Sequence, residues 1–209
     1  EETHDIIYAA TSGGIYKSVD GGNNWTMKIS GNFKDLVFKP GDLSTLYAAA
    51  DARFYRSTDH GENWLQITSG IPSASRGVIG VSPANPNIVY FLLAKSDNGY
   101  QGIYRSTDGG LNFTQRSTSP NIMDWSCDGS GSGGQAWYDL CIAVDPVNAD
   151  IVYAGGVDIW KSTNGGSNWQ ISGHWYGGCS VPAVHADQHV FEVNPLNNRI
   201  YVGNDGGIY

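Results

Sequence analysis

The chain has 209 residues, of which 40% are hydrophobic, enough to bury a sizeable core. Twenty Asp and Glu outweigh 12 Lys and Arg, giving a net charge of −8 and no basic stripe, so a nucleic-acid binder is excluded. No apolar run is long enough to span a membrane and no long amphipathic helical pattern is visible, whereas 28 Gly, 12 Tyr and 7 Trp suit many short strands joined by tight turns.

In chain order, the first predicted strand covers 6–11, and residues 1–4 lead straight into it. The start reads as that of a mature secreted product from which a leader has been removed. An octet follows, Ser18-Val19-Asp20-Gly21-Gly22-Asn23-Asn24-Trp25. It returns as Ser57-Thr58-Asp59-His60-Gly61-Glu62-Asn63-Trp64, Ser106-Thr107-Asp108-Gly109-Gly110-Leu111-Asn112-Phe113 and Ser162-Thr163-Asn164-Gly165-Gly166-Ser167-Asn168-Trp169. Each copy follows a short aromatic run such as Phe54-Tyr55-Arg56. The pattern reads as a tight turn between strands. Asp20, Asp59, Asp108 and Asn164 accept backbone N–H bonds. The Gly at 22, 61, 110 and 166 suits φ > 0. Trp25, Trp64, Phe113 and Trp169 fold back over the turn.

Counted from the serines, the octets lie 39, 49 and 56 residues apart, as repeated units with growing insertions do. Each unit reads as a four-stranded blade. First strands are predicted over 36–40, 78–83, 140–146 and 190–195, each ending at a Pro. Second strands are predicted over 46–50, 88–93, 151–154 and 200–203. The third strand carries the aromatic before the octet, and the fourth follows the closing Trp or Phe. The fold class is therefore all-β, a β-propeller of four-stranded antiparallel blades. Its units are blade 1 over 1–30, blade 2 over 31–68, blade 3 over 69–117, blade 4 over 118–172 and a partial blade 5 over 173–209. About four and a half blades make an incomplete ring, which a longer polypeptide or a second chain would complete.

The octets closely resemble the Asp-box, or BNR, repeat. That repeat occurs in sialidases, xyloglucan-cleaving glycoside hydrolases, sortilin-type receptors and photosystem assembly factors. Trp137-Tyr138-Asp139-Leu140, Gly155-Gly156-Val157-Asp158-Ile159-Trp160-Lys161 and Val184-His185-Ala186-Asp187-Gln188-His189 look more narrowly like large secreted bacterial repeat proteins of unassigned activity. The resemblance implies a secreted or cell-surface propeller. One fold hosts many functions, so the site must supply the activity.

Antiparallel blades put the octets and the Pro/Asn turns on one face. The opposite face receives the long loops 118–138 and 173–188, and long loops without their own structure are the more often functional. Trp125, Trp137, Tyr138, His174, Trp175, Tyr176, His185 and His189 are the candidate ligand-binding residues there. They could stack and read a glycan or pin the loops to the body. His185, Asp187 and His189 alternate, so on a strand they would share one side. They read as a polar network, as a divalent-metal set or as acid/base machinery. No other cofactor is expected. Cys127 and Cys179, both in Gly/Ser-rich loops, are expected to form a disulfide and Cys141, in an apolar run, to stay free.

A glycoside hydrolase needs two carboxyl groups, and Asp139, Asp158, Asp187 and Asp205 are the candidates. Asn204-Asp205-Gly206-Gly207 resembles the Thr-Asp-x-Gly-Gly turn of the xyloglucan-cleaving family, although the first-blade turn Thr11-Ser12-Gly13-Gly14 lacks the Asp. A sialidase would need three convergent Arg, whereas Arg53, Arg56, Arg76, Arg105, Arg116 and Arg199 are spread along the chain. The leading expectation is a non-enzymatic module that binds glycan or an extracellular protein through loops 118–138 and 173–188. The alternative is a glycoside hydrolase, and the third reading is a structural unit of an extracellular assembly.

Overall fold

The computed structural model describes residues 5–194 and 196–209. These residues are all-β and form five consecutive antiparallel sheets. The first holds β1 (Ile7–Ala10), β2 (Gly14–Ser18) and β3 (Thr26–Ser30). The second holds β4 (Phe33–Lys39), β5 (Asp42–Ala50), β6 (Arg53–Ser57) and β7 (Leu65–Ile67). The third holds β8 (Arg76–Val81), β9 (Val89–Ala94), β10 (Tyr100–Ser106) and β11 (Thr114–Ser117). The fourth holds β12 (Cys141–Val144), β13 (Val152–Gly155), β14 (Ile159–Ser162) and β15 (Gln170–Gly173). The last holds β16 (Gln188–Val193), β17 (Ile200–Asn204) and β18 (Gly207–Ile208). Within each sheet the strands pair in chain order, and β4, β8, β12 and β16 contact one another in series. This is the propeller arrangement.

The predicted first strands stop short of their prolines, since β4, β8 and β12 end before Pro40, Pro83 and Pro146. Proline has no N–H to give the ladder. The predicted end at Pro195 lies outside the described residues.

The octets fold as turns held by their own side chains. Asp20 Oδ1 accepts from Asn24 N at 2.8 Å, and its Oδ2 accepts from Asn24 Nδ2 at 2.7 Å. Asp59 and Asp108 repeat both bonds. In Asp59 and Asp108 these bonds hold the carboxyl down at about 2. Sequence reading missed the opening Ser. Its Oγ accepts from the Gly N at 2.8–3.0 Å in all four copies and donates to the Asp or Asn. The residue before that Gly also has positive φ, and there His60 (φ 58°) stands where the other copies have Gly.

The octets also lock neighbouring sheets together. Tyr8 and Lys17 donate to His60 O at 2.7 and 2.9 Å. Tyr47 and Arg56 donate to Gly109 O at 3.1 and 2.9 Å, and Arg116 donates to Gly165 O at 2.9 Å. A carbonyl position repeated in the octet thus takes a hydrogen bond from the preceding sheet. Between these latches the core is built from side chains of adjoining sheets. Phe54 meets Phe91 and Phe113 edge to face, and Tyr100, Ile103, Val152 and Trp160 fill the next seam.

Backbone bonds fix which end of the sheets each turn occupies. Gly21, His60, Gly109 and Gly165 donate to Asp5, Ser44, Asn87 and Asp150, at or beside the turns between first and second strands. The loop 118–138 is instead tied to the β9–β10 hairpin, by Ala136 N to Asn98 O and Tyr100 N to Asn121 Oδ1. Octets and long loops therefore lie on opposite faces.

Candidate functional site

The loop 118–138 has no strand but is not loose. Ile122, Met123 and Ala136 are buried beneath it. Asn121 Nδ2 donates to Gly133 O at 2.8 Å, and Arg76 Nη1 donates to Ala136 O at 2.7 Å. The segment 173–188 closes on itself, with His174 N donating to Pro182 O and Val184 N donating to His174 O. A Cys127–Cys179 disulfide joins the two loops with 5.5 Å between Cα atoms, and Cys141 is a buried free thiol. Such short-range bonds and one long-range bridge let two irregular segments hold side chains in fixed positions.

Two groups of polar side chains meet on this face. Gln135 Nε2 donates to Asp139 Oδ2 at 2.8 Å and also to Asp187 Oδ1. Tyr138 donates to both oxygens of Asp205 at 3.2 Å, and His189 Nε2 lies 2.6 Å from Asp205 Oδ1. Tyr138 and His189 meet edge to face at 4.8 Å, and Trp137 packs on Tyr138. Burial pushes the Asp139 carboxyl up to about 7, with the Asp187 charge adding to it. The His189 hydrogen bond, followed by that of Tyr138, holds Asp205 below the usual carboxylate range. The face therefore pairs a buried acid that titrates near neutrality with an acid held in its ionised form.

The two loops also carry large exposed aromatics. Trp125, Trp137, Tyr138, Trp175 and Tyr176 are 42–66% exposed. Trp175 and Tyr176 pack on each other at 4.6 Å and Tyr176 stands edge-on to His174 at 4.2 Å, so anchoring and exposure coexist in one pair. Flat, exposed and fixed rings beside hydrogen-bonding groups can stack on a sugar and read its hydroxyls.

Several sequence-predicted site residues sit elsewhere than expected. His174 is fully buried and cannot touch a ligand on the surface. Asp158 is fully buried as well, its Oδ1 accepting from Trp175 N at 2.8 Å, and burial pushes its carboxyl up to about 6. Asp139 is 1% exposed. The alternation of His185, Asp187 and His189 does not lie on a strand, because β16 starts at Gln188 and Asp187 has φ 66°. The three side chains take separate partners: His185 Nδ1 lies 3.2 Å from Ala186 O, Asp187 meets Gln135 and His189 meets Asp205. Gln135 was missed altogether, because a Gln in a Gly/Ser-rich loop carries no sequence signal. Three of the arginines serve the fold: Arg56 and Arg116 bind octet carbonyls and Arg105 pairs with Asp150 at 2.9 Å.

Comparison with known proteins supports the architecture. No protein-family model matches the chain. A xyloglucanase of Hypocrea jecorina (strain QM6a) is 31% identical over 105 residues, which cover 44% of this chain and 12% of that protein. An ancestral GH74 enzyme superposes with a TM-score of 0.66 at 20% identity, over 95% of this chain and 25% of the other. YCF48 from Cyanidioschyzon merolae superposes with a TM-score of 0.60 at 17% identity, over 98% of this chain and 62% of the other. The chain thus spans about an eighth of the curated relative and a quarter to three fifths of these solved chains. At such identities the likeness concerns the fold.

Proposed function

We propose that the chain is an Asp-box propeller module, secreted or held at the cell surface, that binds glycan through the face carrying loops 118–138 and 173–188. The observation that carries this reading is that Trp125, Trp137, Tyr138, Trp175 and Tyr176 of these loops stand exposed, with Tyr138 bonded to Asp205 and edge-on to His189. The disulfide supports the extracellular setting, since such bonds persist in oxidising compartments. The octet hydrogen bonds, repeated in four copies, support the Asp-box assignment. In this reading further blades, from the same polypeptide or a partner, extend the array, and the three-stranded sheets β1–β3 and β16–β18 offer edges for them.

The test is a titration of neutral β-glucan oligosaccharides, xyloglucan fragments first, followed by tryptophan fluorescence. Saturable binding is expected, weakened about tenfold by Trp137→Ala or Trp175→Ala, a loss of about 1.4 kcal/mol that sits at the low end of what stacking a flat base on one aromatic ring contributes. A panel with no saturable binder sinks the glycan reading.

A second reading, glycoside hydrolysis, is favoured by one observation. Asp139 and Asp187 accept from the same Gln135 nitrogen, so the two bonded oxygens are at most about 5 Å apart, a pair close enough for two-carboxylate chemistry. The burial of Asp139 argues against direct contact with a substrate. Release of reducing sugar that is lost in both Asp139→Asn and Asp187→Asn would promote this reading over simple binding.

A further inference from the structure

Beneath the aromatic rim the two loops meet around one imidazole. His174 is fully buried and its Nε2 has no hydrogen-bond partner among the described residues. Its Nδ1 has only a long bond from Gly178 N, at 3.3 Å. Asp158, also fully buried, leaves Oδ2 unpartnered 3.8 Å from His174 Nε2. A ring nitrogen of His174 and the Sγ atoms of Cys127 and Cys179 all lie within 4.8 Å of one another. Buried polar atoms without partners are uncommon in native proteins and each calls for a reason.

Two sulfurs and an imidazole are donor types that tetrahedral Zn²⁺ takes, with water able to fill the fourth place. At zinc bond lengths the ligand atoms stand roughly 3.3–3.8 Å apart, so the two sulfurs and the ring nitrogen, all within 4.8 Å of one another, need only small shifts to share one ion. The sulfurs do not qualify while bonded to each other, because the metal ligand is the thiolate.

We infer that Cys127, Cys179 and His174 form a Zn²⁺ site that exists only when the disulfide is reduced, with Asp158 behind His174 as a carboxylate that positions the imidazole and water in the fourth place. A dithiol reductant gives two electrons to the S–S bond and leaves as its own disulfide. The two new thiols lose their protons to solvent as they bind the ion. Cys127 is exposed, so a reductant reaches it. The ion joins the same two loops as the disulfide and keeps the aromatic face assembled under reducing conditions. This site does not depend on the glycan reading.

The test uses the whole chain, oxidised or reduced with a trialkylphosphine, titrated with Co²⁺ alone and then with Zn²⁺. One Co²⁺ per chain is expected after reduction, with thiolate charge-transfer absorption and tetrahedral visible bands, and none before it. Zn²⁺ displaces the colour. Cys127→Ser and Cys179→Ser each weaken binding at least about 100-fold and Asp158→Asn about tenfold, whereas Cys141→Ser changes nothing. A reduced chain that takes up no Co²⁺, or uptake that survives both Cys→Ser changes, overturns the inference. Circular dichroism is followed in the same samples. Loss of the sheet signal on reduction that metal does not restore overturns it too.

Discussion

Asp139→Asn isolates the energetic consequence of a carboxyl buried beside the candidate site. The wild-type group is moved by burial from an ordinary 3.8 to about 7. Its sign is opposite to that of a salt-bridged Asp. Below pH 4 both folded and unfolded chains hold the proton, and stability is indifferent to it. Between pH 4 and pH 7 the unfolded chain ionises first, so the folded state loses stability as pH rises. About 1.4 kcal/mol per tenfold sets a ceiling of about 4 kcal/mol. Solvent screening on the Gln135 side lowers the expected loss to about 2 kcal/mol. Urea unfolding at pH 4.5 and pH 8 measures it. Asn keeps an acceptor for Gln135 but cannot ionise, so Asp139→Asn should flatten this part of the pH dependence by about 2 kcal/mol whatever its absolute stability. Equal pH dependence in wild type and variant would show that Asp139 is solvated, and the burial argument would fail.

Other outcomes follow from the same physics. Asp108→Ala removes acceptors for Leu111 N, Asn112 N, Asn112 Nδ2 and Ser106 Oγ. It should cost about 1–2 kcal/mol by thermal or urea unfolding, as loss of a cap does. The wild-type contribution should vanish only as pH falls from about 4 through about 2, because the folded group titrates at about 2. Tyr90→Phe leaves Ala149 O without its 2.8 Å donor between sheets and should cost about 1–3 kcal/mol in the same assay. Cys127→Ser opens a bridge spanning 52 residues. Chain entropy puts its stabilisation at up to about 4 kcal/mol, and hydrogen exchange should rise first in 118–138 and 173–188.

The sequence by itself determined the repeating frame. The octet bonds join residues two to four apart, so their whole geometry is written in Ser18, Asp20, Gly22 and Asn24 and their copies. Counting these turns numbered the blades, and antiparallel pairing then separated the octet face from the loop face. Even the Cys127–Cys179 pairing followed from composition, because the third Cys lay in an apolar run. Tertiary structure alone decided the site. Gln135 reaches Asp187 across 52 residues and Tyr138 reaches Asp205 across 67. No local pattern encodes such meetings, because irregular loops follow no period that fixes where a side chain points. Burial was equally illegible: the polar Asp158 and His174 are fully covered, while the large aromatics Trp137 and Tyr176 of the two loops are left in solvent. Side chains from one loop shield those of another, and that shielding depends on how the two loops fold over blades four and five.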